Sequence, residues 1–434
     1  MIFDKKAETM PRKELEQVQI ERLQTTLNRV YRNVAFYKKS FDSHGVNIES
    51  IKSREDLPNL PFTTRADLLA AYPYDMFAVP LRDIVRIHST SGTAGKPLVV
   101  GYTKNDLKNW TACTARLLAA SGITEHDVVQ IAFHYDLFTG GFGFHQGAEL
   151  IGASVIPAST TLAEKQITIM KDYKTTALLC TPGFALHIAQ EMDAMKIHPE
   201  QLSLKTGIFG AEPWSNSMRR QIETRLHCTA HDSYGLTEIM GPGVAGECEE
   251  RAGLHVNEDH FIVEVVDPAT GKWVGEDGQG ELVFTTITKE GFPLIRYRTG
   301  DIASLISEPC SCGRTFTRIT RVTGRTDDLI FFDGQKIFPS EIEQILLDVE
   351  GTAPHYQIVL SRENGKDIMD VRVEAGESFE IDKLGKLEAM RDTLVERIQQ
   401  ELEISAQVHF VEPRTFERAT KDKIRRVIDK RESV

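Results

Sequence analysis

The sequence predicts an α/β fold: a large N-terminal domain of α/β subdomains plus a small β-rich unit, then a small α+β C-terminal domain. Three observations lead there. The short apolar runs VVQIAF, ASVIPA and ALLCT alternate with helical segments, the pattern of parallel strands with crossover helices. From Gly278 onward, GELVFTTI, PLIRYRTGD and IASLI read as short strands at close spacing. Near Arg325–Asp328 the pattern restarts with its own apolar content, so the domains are placed at 1–326 and 327–434.

The elements follow in order. Leu15, Val18, Leu23, Leu27, Val30 and Val34 recur mostly at three- and four-residue spacing, which predicts one amphipathic helix lying on a core. Pro58 and Pro61 bracket a loop before a short helix from about Arg65 to Ala71. IVRI and LVVGYT read as strands on either side of a glycine-rich loop, and Lys104–Ala120 reads as a helix. In the C-terminal part a helix begins near Pro339, with Ser340 and Glu343 in capping-box spacing. Asn364-Gly365 then marks a hairpin turn, a long helix runs from about Asp382 to Leu402, AQVHFVE is a strand, and a basic tail starts near Arg418.

Composition narrows the function. At 434 residues and 41% apolar content the chain can bury a sizeable core, and it exceeds the roughly 100–200 residues of one ordinary domain. The 51 basic and 63 acidic residues leave a net charge of −12, which argues against nucleic acid or an anionic membrane as the main partner. A local basic pocket for a phosphate is still compatible with that sum. No apolar run approaches the ~18 residues of a membrane-spanning helix. MIFDKKAETMPRKELEQ lacks the apolar centre of a secretory signal. Six cysteines, mostly isolated in apolar stretches, fit a reducing cytoplasm.

The densest polar segment is His88-Ser-Thr-Ser-Gly-Thr-Ala-Gly-Lys96-Pro97. Gly92 and Gly95 let the backbone fold tightly and present N–H groups to an anion. Ser89, Thr90, Ser91 and Thr93 add hydroxyl donors and Lys96 a positive charge, the chemistry a polyphosphate needs. It is not a Walker A loop: Thr90 stands where that motif has glycine, and Pro97 follows the lysine. The loop joins two strands and offers no helix dipole. No G-x-S-x-G hydrolase elbow and no helix-opening G-x-G-x-x-G appears.

This loop resembles the signature of adenylate-forming enzymes, the acyl- and aryl-CoA synthetases and their relatives. Gly210-Ala-Glu-Pro213, Asp232-Ser-Tyr-Gly-Leu-Thr-Glu238, Tyr297-Arg-Thr-Gly-Asp301 and Gly324-Arg-Thr-Asp-Asp328 with Gly334 and Glu341-Ile-Glu343 follow in the family's order. NVAFYKKSF, PFTTRADL, YPYDMFAVP and FTGGFG resemble its phenylacetate–CoA ligase branch. The resemblance implies ATP-dependent ligation of an aryl acid, phenylacetate or a similar arylacetate, to coenzyme A through an acyl-adenylate, releasing AMP and pyrophosphate.

Site roles are implied residue by residue. The phosphate loop would hold the β- and γ-phosphates. Glu238 would coordinate Mg²⁺, and Thr237 would contact the α-phosphate. Tyr234 would stack on adenine, with Gly210, Ala211, Glu212 and Asp232 around it. Asp301, assisted by Arg325, would bind the ribose. Asp327 would be the hinge about which a small mobile C-terminal domain rotates, and Gly334 would line the pantetheine path. Lys423 would reach the substrate carboxylate and α-phosphate. Asp422 replaces the family's usual glycine there, and Lys421 competes for the role.

Phe133-His-Tyr-Asp-Leu-Phe138-Thr-Gly-Gly-Phe-Gly143 is rich in aromatics and glycines, which suits a flat aryl acid. Tyr135, Phe138, Ala211, Ile239 and Pro242 are candidates for the pocket wall. Separately, Cys310-Ser-Cys312-Gly and the pair Cys248 and His255, seven residues apart, could form a three-thiolate, one-imidazole structural zinc site. Two alternatives stay open: an adenylating ligase with a different acid or acceptor, and a non-catalytic nucleotide-binding regulator. The sequence leaves monomer and homodimer equally open.

If Lys423 serves the first half-reaction alone, Lys423→Ala nearly abolishes acyl-AMP formation and spares thioester formation from supplied acyl-AMP. Equal loss in both half-reaction assays would refute that role.

Overall fold

Hydrophobic spacing decides where the N-terminal helix lies. It spans Arg12–Asn33, with Leu15, Leu23, Leu27 and Val30 wholly buried. Gln19, rather than Val18, completes the buried stripe, because its amide donates to the Glu258 carbonyl at 2.8 Å and the Phe261 carbonyl at 3.3 Å. Val34 is extended (φ −117°, ψ 108°) and redirects the chain into a second helix, Ala35–Ser43. The short helix Arg65–Ala70 falls where the sequence places it, capped by Thr64 and Asp67.

The computed structural model describes residues 1–90, 96–275, 278–349, 351–363, 366–375, 384–412, 415–416 and 426–431. Ser91, Gly92, Thr93, Gly95, the Asn364-Gly365 turn, Lys421 and Lys423 lie outside the described residues.

Strands β1 (Arg86–Ser89) and β2 (Val99–Tyr102) form the antiparallel pair that flanks the phosphate loop. The main sheet begins with β3 (Val128–Ile131), β4 (Ser154–Ile156), β5 (Ala177–Cys180), β6 (Thr206–Gly210) and β7 (Thr229–Leu236). These five pair in parallel in the order β4-β3-β5-β6-β7. Their crossovers are the helices Gly140–Ile151, Ala163–Asp172, Pro182–Ala194 and Asn216–Leu226, as right-handed βαβ connection favours.

The rest of the sheet is antiparallel: β8 (Gly241–Glu247), β9 (Leu254–Val256), β10 (Phe261–Val266), β11 (Gln279–Thr286), β12 (Tyr297–Ile306) and β13 (Arg318–Ile319). β14 (Gly324–Arg325) pairs with β12. The β-rich unit is therefore continuous with the body through β13 and β9. PLIRYRTGD and IASLI are not two strands. Tyr297–Ile306 is one, because β11 supplies a partner along its length and a register shift absorbs the glycine.

Next come the hairpin β15 (Ile330–Phe332) and β16 (Gln335–Ile337), then a four-stranded sheet of β17 (Thr352–Glu363), β18 (Lys366–Ala375), β19 (Ala406–Val411) and β20 (Val427–Asp429). The helices Pro339–Leu347 and Leu384–Leu402 cover it, around a core that includes Ile342, Leu346, Ile358, Val371, Leu394 and Ile398. Ser340 and Glu343 do not form the capping box. Pro339 fixes the first helical position, and Glu341 accepts from the Phe338 N–H at 2.7 Å. Ser340 instead donates to the Thr323 carbonyl, and Glu343 is buried against Arg426.

The glycines of FTGGFG lie on the helix Gly140–Ile151, which also carries Gly147, and close packing explains two of that helix's glycines. A Cβ at Gly147, in the same helix, would stand 2.6 Å from Thr114 Oγ1 and 2.9 Å from the Ala115 backbone nitrogen. At Gly143 it would meet Pro242 and Trp110, both at 2.6 Å. Helix propensity alone would make Gly→Ala stabilising by about 1 kcal/mol. Gly147→Ala is expected instead to destabilise by about 1–3 kcal/mol, because the Ala115 backbone cannot yield. Gly385→Ala, on a helix with nothing within 4 Å of its Cβ, is expected not to destabilise. Thermal denaturation of both variants checks the contrast.

Candidate functional site

In a parallel sheet, ligands gather at the carboxyl ends of the strands. Gly210 ends β6 there, and a Cβ on it would be 2.3 Å from the Ser233 carbonyl oxygen, so the two strand ends touch through backbone. Ala211 follows in the left-handed region (φ 70°), and Glu212 accepts from the Gly183 N–H at 3.0 Å. On β7, the Asp232 N–H donates to Glu247 at 2.8 Å, and its carboxylate accepts from Arg321 Nε at 3.2 Å. The Arg321 guanidinium lies over the Trp214 ring, 4.5 Å from its centroid.

Tyr234 donates its hydroxyl to Asp301 Oδ2 at 2.7 Å and packs against Phe284 at 5.9 Å, nearly parallel. Burial, then Asp301, raises the Tyr234 phenol well above its ordinary range, so it remains a donor. Asp301 Oδ1 accepts from Arg325 Nη1 at 2.9 Å, and Arg325 also reaches both Asp327 oxygens, at 2.8 and 3.2 Å. Burial alone would lower the Arg325 guanidinium, but Asp301 and Asp327 outweigh it and hold it above its usual value. Four residues that the sequence analysis assigns to base, ribose and hinge thus form one chain of charge-assisted bonds.

Thr237 and Glu238 sit on the turn between β7 and β8. Thr237 Oγ1 meets Thr139 Oγ1 at 3.1 Å. Glu238 Oε1 lies 3.2 Å from Arg65 Nη1 and 3.4 Å from the Tyr297 hydroxyl. Beneath the turn is Lys289, 2% exposed, its ammonium donating to the carbonyls of Ile239 (2.8 Å) and Glu238 (3.3 Å). Burial pulls Lys289 down to about 7 against the pull of Asp106 and Glu238.

At the neck of the phosphate loop, Thr90 N–H donates to the Leu98 carbonyl at 3.1 Å, and Thr90 Oγ1 accepts from Leu98 N–H at 3.0 Å. Ser89 N–H donates to the Leu137 carbonyl at 2.9 Å, which ties the loop to the aromatic segment. Lys96 stands 3.8 Å over the Tyr72 ring. Of the pocket candidates, Tyr135 and Phe138 are half-buried beside Phe133 and Phe144, and the Tyr135 hydroxyl pairs with His145 at 3.1 Å. The Pro242 carbonyl accepts from Trp110 Nε1 at 2.8 Å. Ile239 is wholly buried in the main core. Gly334 lies in the β15–β16 turn with Asp333, at φ 81° and 48°, values that favour glycine.

Cys248, His255, Cys310 and Cys312 converge with their ligand atoms all within 4.8 Å of one another. The Cys248 and Cys310 sulfurs are 3.8 Å apart, and Cys312 Sγ is 3.4 Å from His255 Nε2. Burial, with the neighbouring thiols, pushes Cys248 up to about 12. Burial also opposes ionisation of Cys312, but the His255 contact and the Arg314 N–H outweigh it and bring that thiol down to about 5. One ready thiolate beside an imidazole suits a soft cation.

Sequence reasoning did not find Lys289, Tyr102, Arg65 or Arg321. Arg321 had a usable signal, a charge four residues before Arg325. Lys289 is a cation between threonines and Glu290 with no local pattern to mark it, and its role depends on a turn some fifty residues away.

The chain matches the AMP-binding enzyme family over residues 7–288 and the AMP-binding enzyme C-terminal domain over residues 334–431. It is 41% identical to the phenylacetate-coenzyme A ligase of Thermus thermophilus over 444 residues, covering 99% of this chain and 100% of that protein. It is 44% identical to the Escherichia coli protein of the same name over 373 residues, 86% of this chain and 85% of the relative. Among solved structures, 2-hydroxyisobutyryl-CoA ligase in the postadenylation state with an acyl-AMP superposes with a TM-score of 0.92. That match is 29% identical and covers 99% of this chain and 92% of the other. The same ligase with CoA in the thioesterification state gives 0.72 at 30% identity, over 98% and 92% of the two chains.

Proposed function

The chain belongs to the AMP-binding enzyme family, and from that premise we propose which residues carry each step of its reaction. The reaction is ATP-dependent ligation of an aryl acid to coenzyme A through an acyl-adenylate. In the first step a carboxylate oxygen attacks the α-phosphorus, and the bond to pyrophosphate breaks. In the second the CoA sulfur attacks the acyl carbon, and AMP leaves. In-line displacement at phosphorus needs positioning and charge neutralisation more than a covalent nucleophile.

Asp301, held by Tyr234 on one oxygen and Arg325 on the other, takes the ribose hydroxyls on its remaining lone pairs, and Tyr234 with residues 210–212 and Asp232 frames the adenine. The observation that best supports this assignment is the continuous run Tyr234–Asp301–Arg325–Asp327. Thr237 contacts the α-phosphate. Glu238 would be an oxygen ligand for Mg²⁺, which would neutralise charge on the substrate phosphates and needs few protein carboxylates. Ser89–Lys96 cradles the distal phosphates, Lys423 reaches the reacting carboxylate, and Gly334 lines the path of the pantetheine arm. Asp327 is the hinge between domains 1–326 and 327–434. The higher TM-score against the postadenylation state than against the thioesterification state supports two arrangements of one chain about such a hinge.

The acid is phenylacetate or a close arylacetate, held among Tyr135, Phe138, Ala211 and Pro242, with Ile239 behind them. The names of the Thermus and Escherichia coli relatives support this. No helix among the described residues is long and apolar enough to cross a membrane, and we place the enzyme in the cytoplasm. ATP–pyrophosphate exchange across arylacetates, benzoates and fatty acids tests the substrate. Phenylacetate-type acids are expected to drive the fastest exchange, and a preference for long-chain fatty acids would overturn the aryl reading.

The Cys248–His255–Cys310–Cys312 cluster holds a structural zinc that would tie the β8–β9 segment to the loop before β13. Its three sulfurs and one imidazole match a closed tetrahedral set. Metal analysis of purified protein is expected to find stoichiometric zinc, lost in Cys310→Ser together with thermal stability. Protein free of zinc at full stability would contradict the assignment.

A further inference from the structure

The turn that carries Thr237 and Glu238 has little to hold it from within. Within it, Ile239 and Met240 both donate to the Leu236 carbonyl, at 3.1 and 3.0 Å. Its four successive carbonyls, residues 237–240, meet donors from outside the turn. A buried carbonyl without a donor costs about 1–3 kcal/mol, so their partners decide whether the turn keeps its shape.

Two side chains from elsewhere in the sequence face all four. Lys289 Nζ donates to the Ile239 carbonyl at 2.8 Å and the Glu238 carbonyl at 3.3 Å. The Tyr102 hydroxyl donates to the Met240 carbonyl at 2.8 Å and lies 3.5 Å from the Thr237 carbonyl. The two also meet each other, with the ammonium 4.6 Å from the Tyr102 ring centroid. Both are fixed from behind. Tyr102 is on β2, directly after the phosphate loop, and stacks on Trp110 at 5.0 Å. The residues after Lys289 are tied to a helix start, with Asp106 accepting from the N–H groups of Glu290 (2.6 Å) and Gly291 (2.9 Å).

We propose that Lys289 and Tyr102 are positioning residues for adenylation, gripping the carbonyls of the 237–240 turn so that Thr237 and Glu238 are held in fixed register with β2. Tyr102 gives the grip direction: the strand leaving the phosphate loop is the strand whose hydroxyl holds the metal-binding turn. Of the two residues the clamp sets, Thr237 also meets the phosphate of the acyl-AMP in the thioester-forming step, whereas Glu238 acts through the metal on ATP. The inference rests on Glu238 as the Mg²⁺ ligand.

The test uses the full chain and three readouts: the Mg²⁺ concentration giving half-maximal ATP–pyrophosphate exchange, thioester formation from supplied arylacetyl-AMP and CoA, and the thermal midpoint. Tyr102→Phe removes only the hydroxyl and is expected to raise the half-maximal Mg²⁺ about threefold to tenfold, the span of one lost hydrogen bond. Lys289→Met, similar in length but uncharged, is expected to raise it by about tenfold or more, with two carbonyls left unpaired. Thioester formation, which shares only the Thr237 contact, is expected to fall by a smaller factor than exchange in both. A proportional fall in both half-reactions, or an unchanged Mg²⁺ requirement in Tyr102→Phe, would overturn the clamp. Should Lys289→Met fail to fold, Tyr102→Phe decides alone. Absence of aryl-acid-driven exchange in the wild type would instead sink the underlying assignment of Glu238.

Discussion

The carboxylate of Asp301 is the point on which the site turns. It lies on β12, far from β7 in sequence, yet it takes the Tyr234 hydroxyl on one oxygen and the Arg325 guanidinium on the other. Arg325 passes the connection to Asp327, at the start of the C-terminal part. A largely buried carboxylate is costly unless its lone pairs are satisfied, and here the satisfying groups come from β7 of the parallel sheet and from β14. The proposed nucleotide seat and the proposed hinge residue are therefore one network. A ligand bound to Asp301 acts on the same guanidinium that holds Asp327.

The Thr237–Glu238 turn shows the same logic on the other side of the sheet end. Its functional side chains meet Thr139, Arg65 and Tyr297, while its backbone is held by residues with no chemical part in the reaction. In the proposed mechanism this one turn would supply the α-phosphate contact and the metal ligand together, which suits a reaction that gains most from fixed geometry.

Much of this was legible in the sequence because the relevant signals are local. The strand–loop–strand of residues 86–102, the parallel run from β3 to β7 and the stretches around Gly210, Asp232 and Asp301 each occupy a short segment. The cysteine cluster was also legible, since two short pairs sufficed to suggest it, and the fold brings them together across some sixty residues. What escaped depends on tertiary contact. Gln19 takes a core position where two carbonyls accept from its amide nitrogen, which no hydrophobic pattern reveals. The strand over 297–306 continues through a glycine because β11 supports it. Glu341, rather than Ser340 with Glu343, caps its helix because Pro339 sets the start. Lys289 reads as a stray charge until the turn above it is seen.

The most direct test of the account is a crystal structure of the protein with a non-hydrolysable arylacetyl-adenylate. The account expects the ribose hydroxyls on the Asp301 carboxylate, adenine between Tyr234 and residues 210–212, and the phosphate facing Thr237. A fully occupied adenylate seated away from Asp301 and the residue 88–97 loop would contradict it.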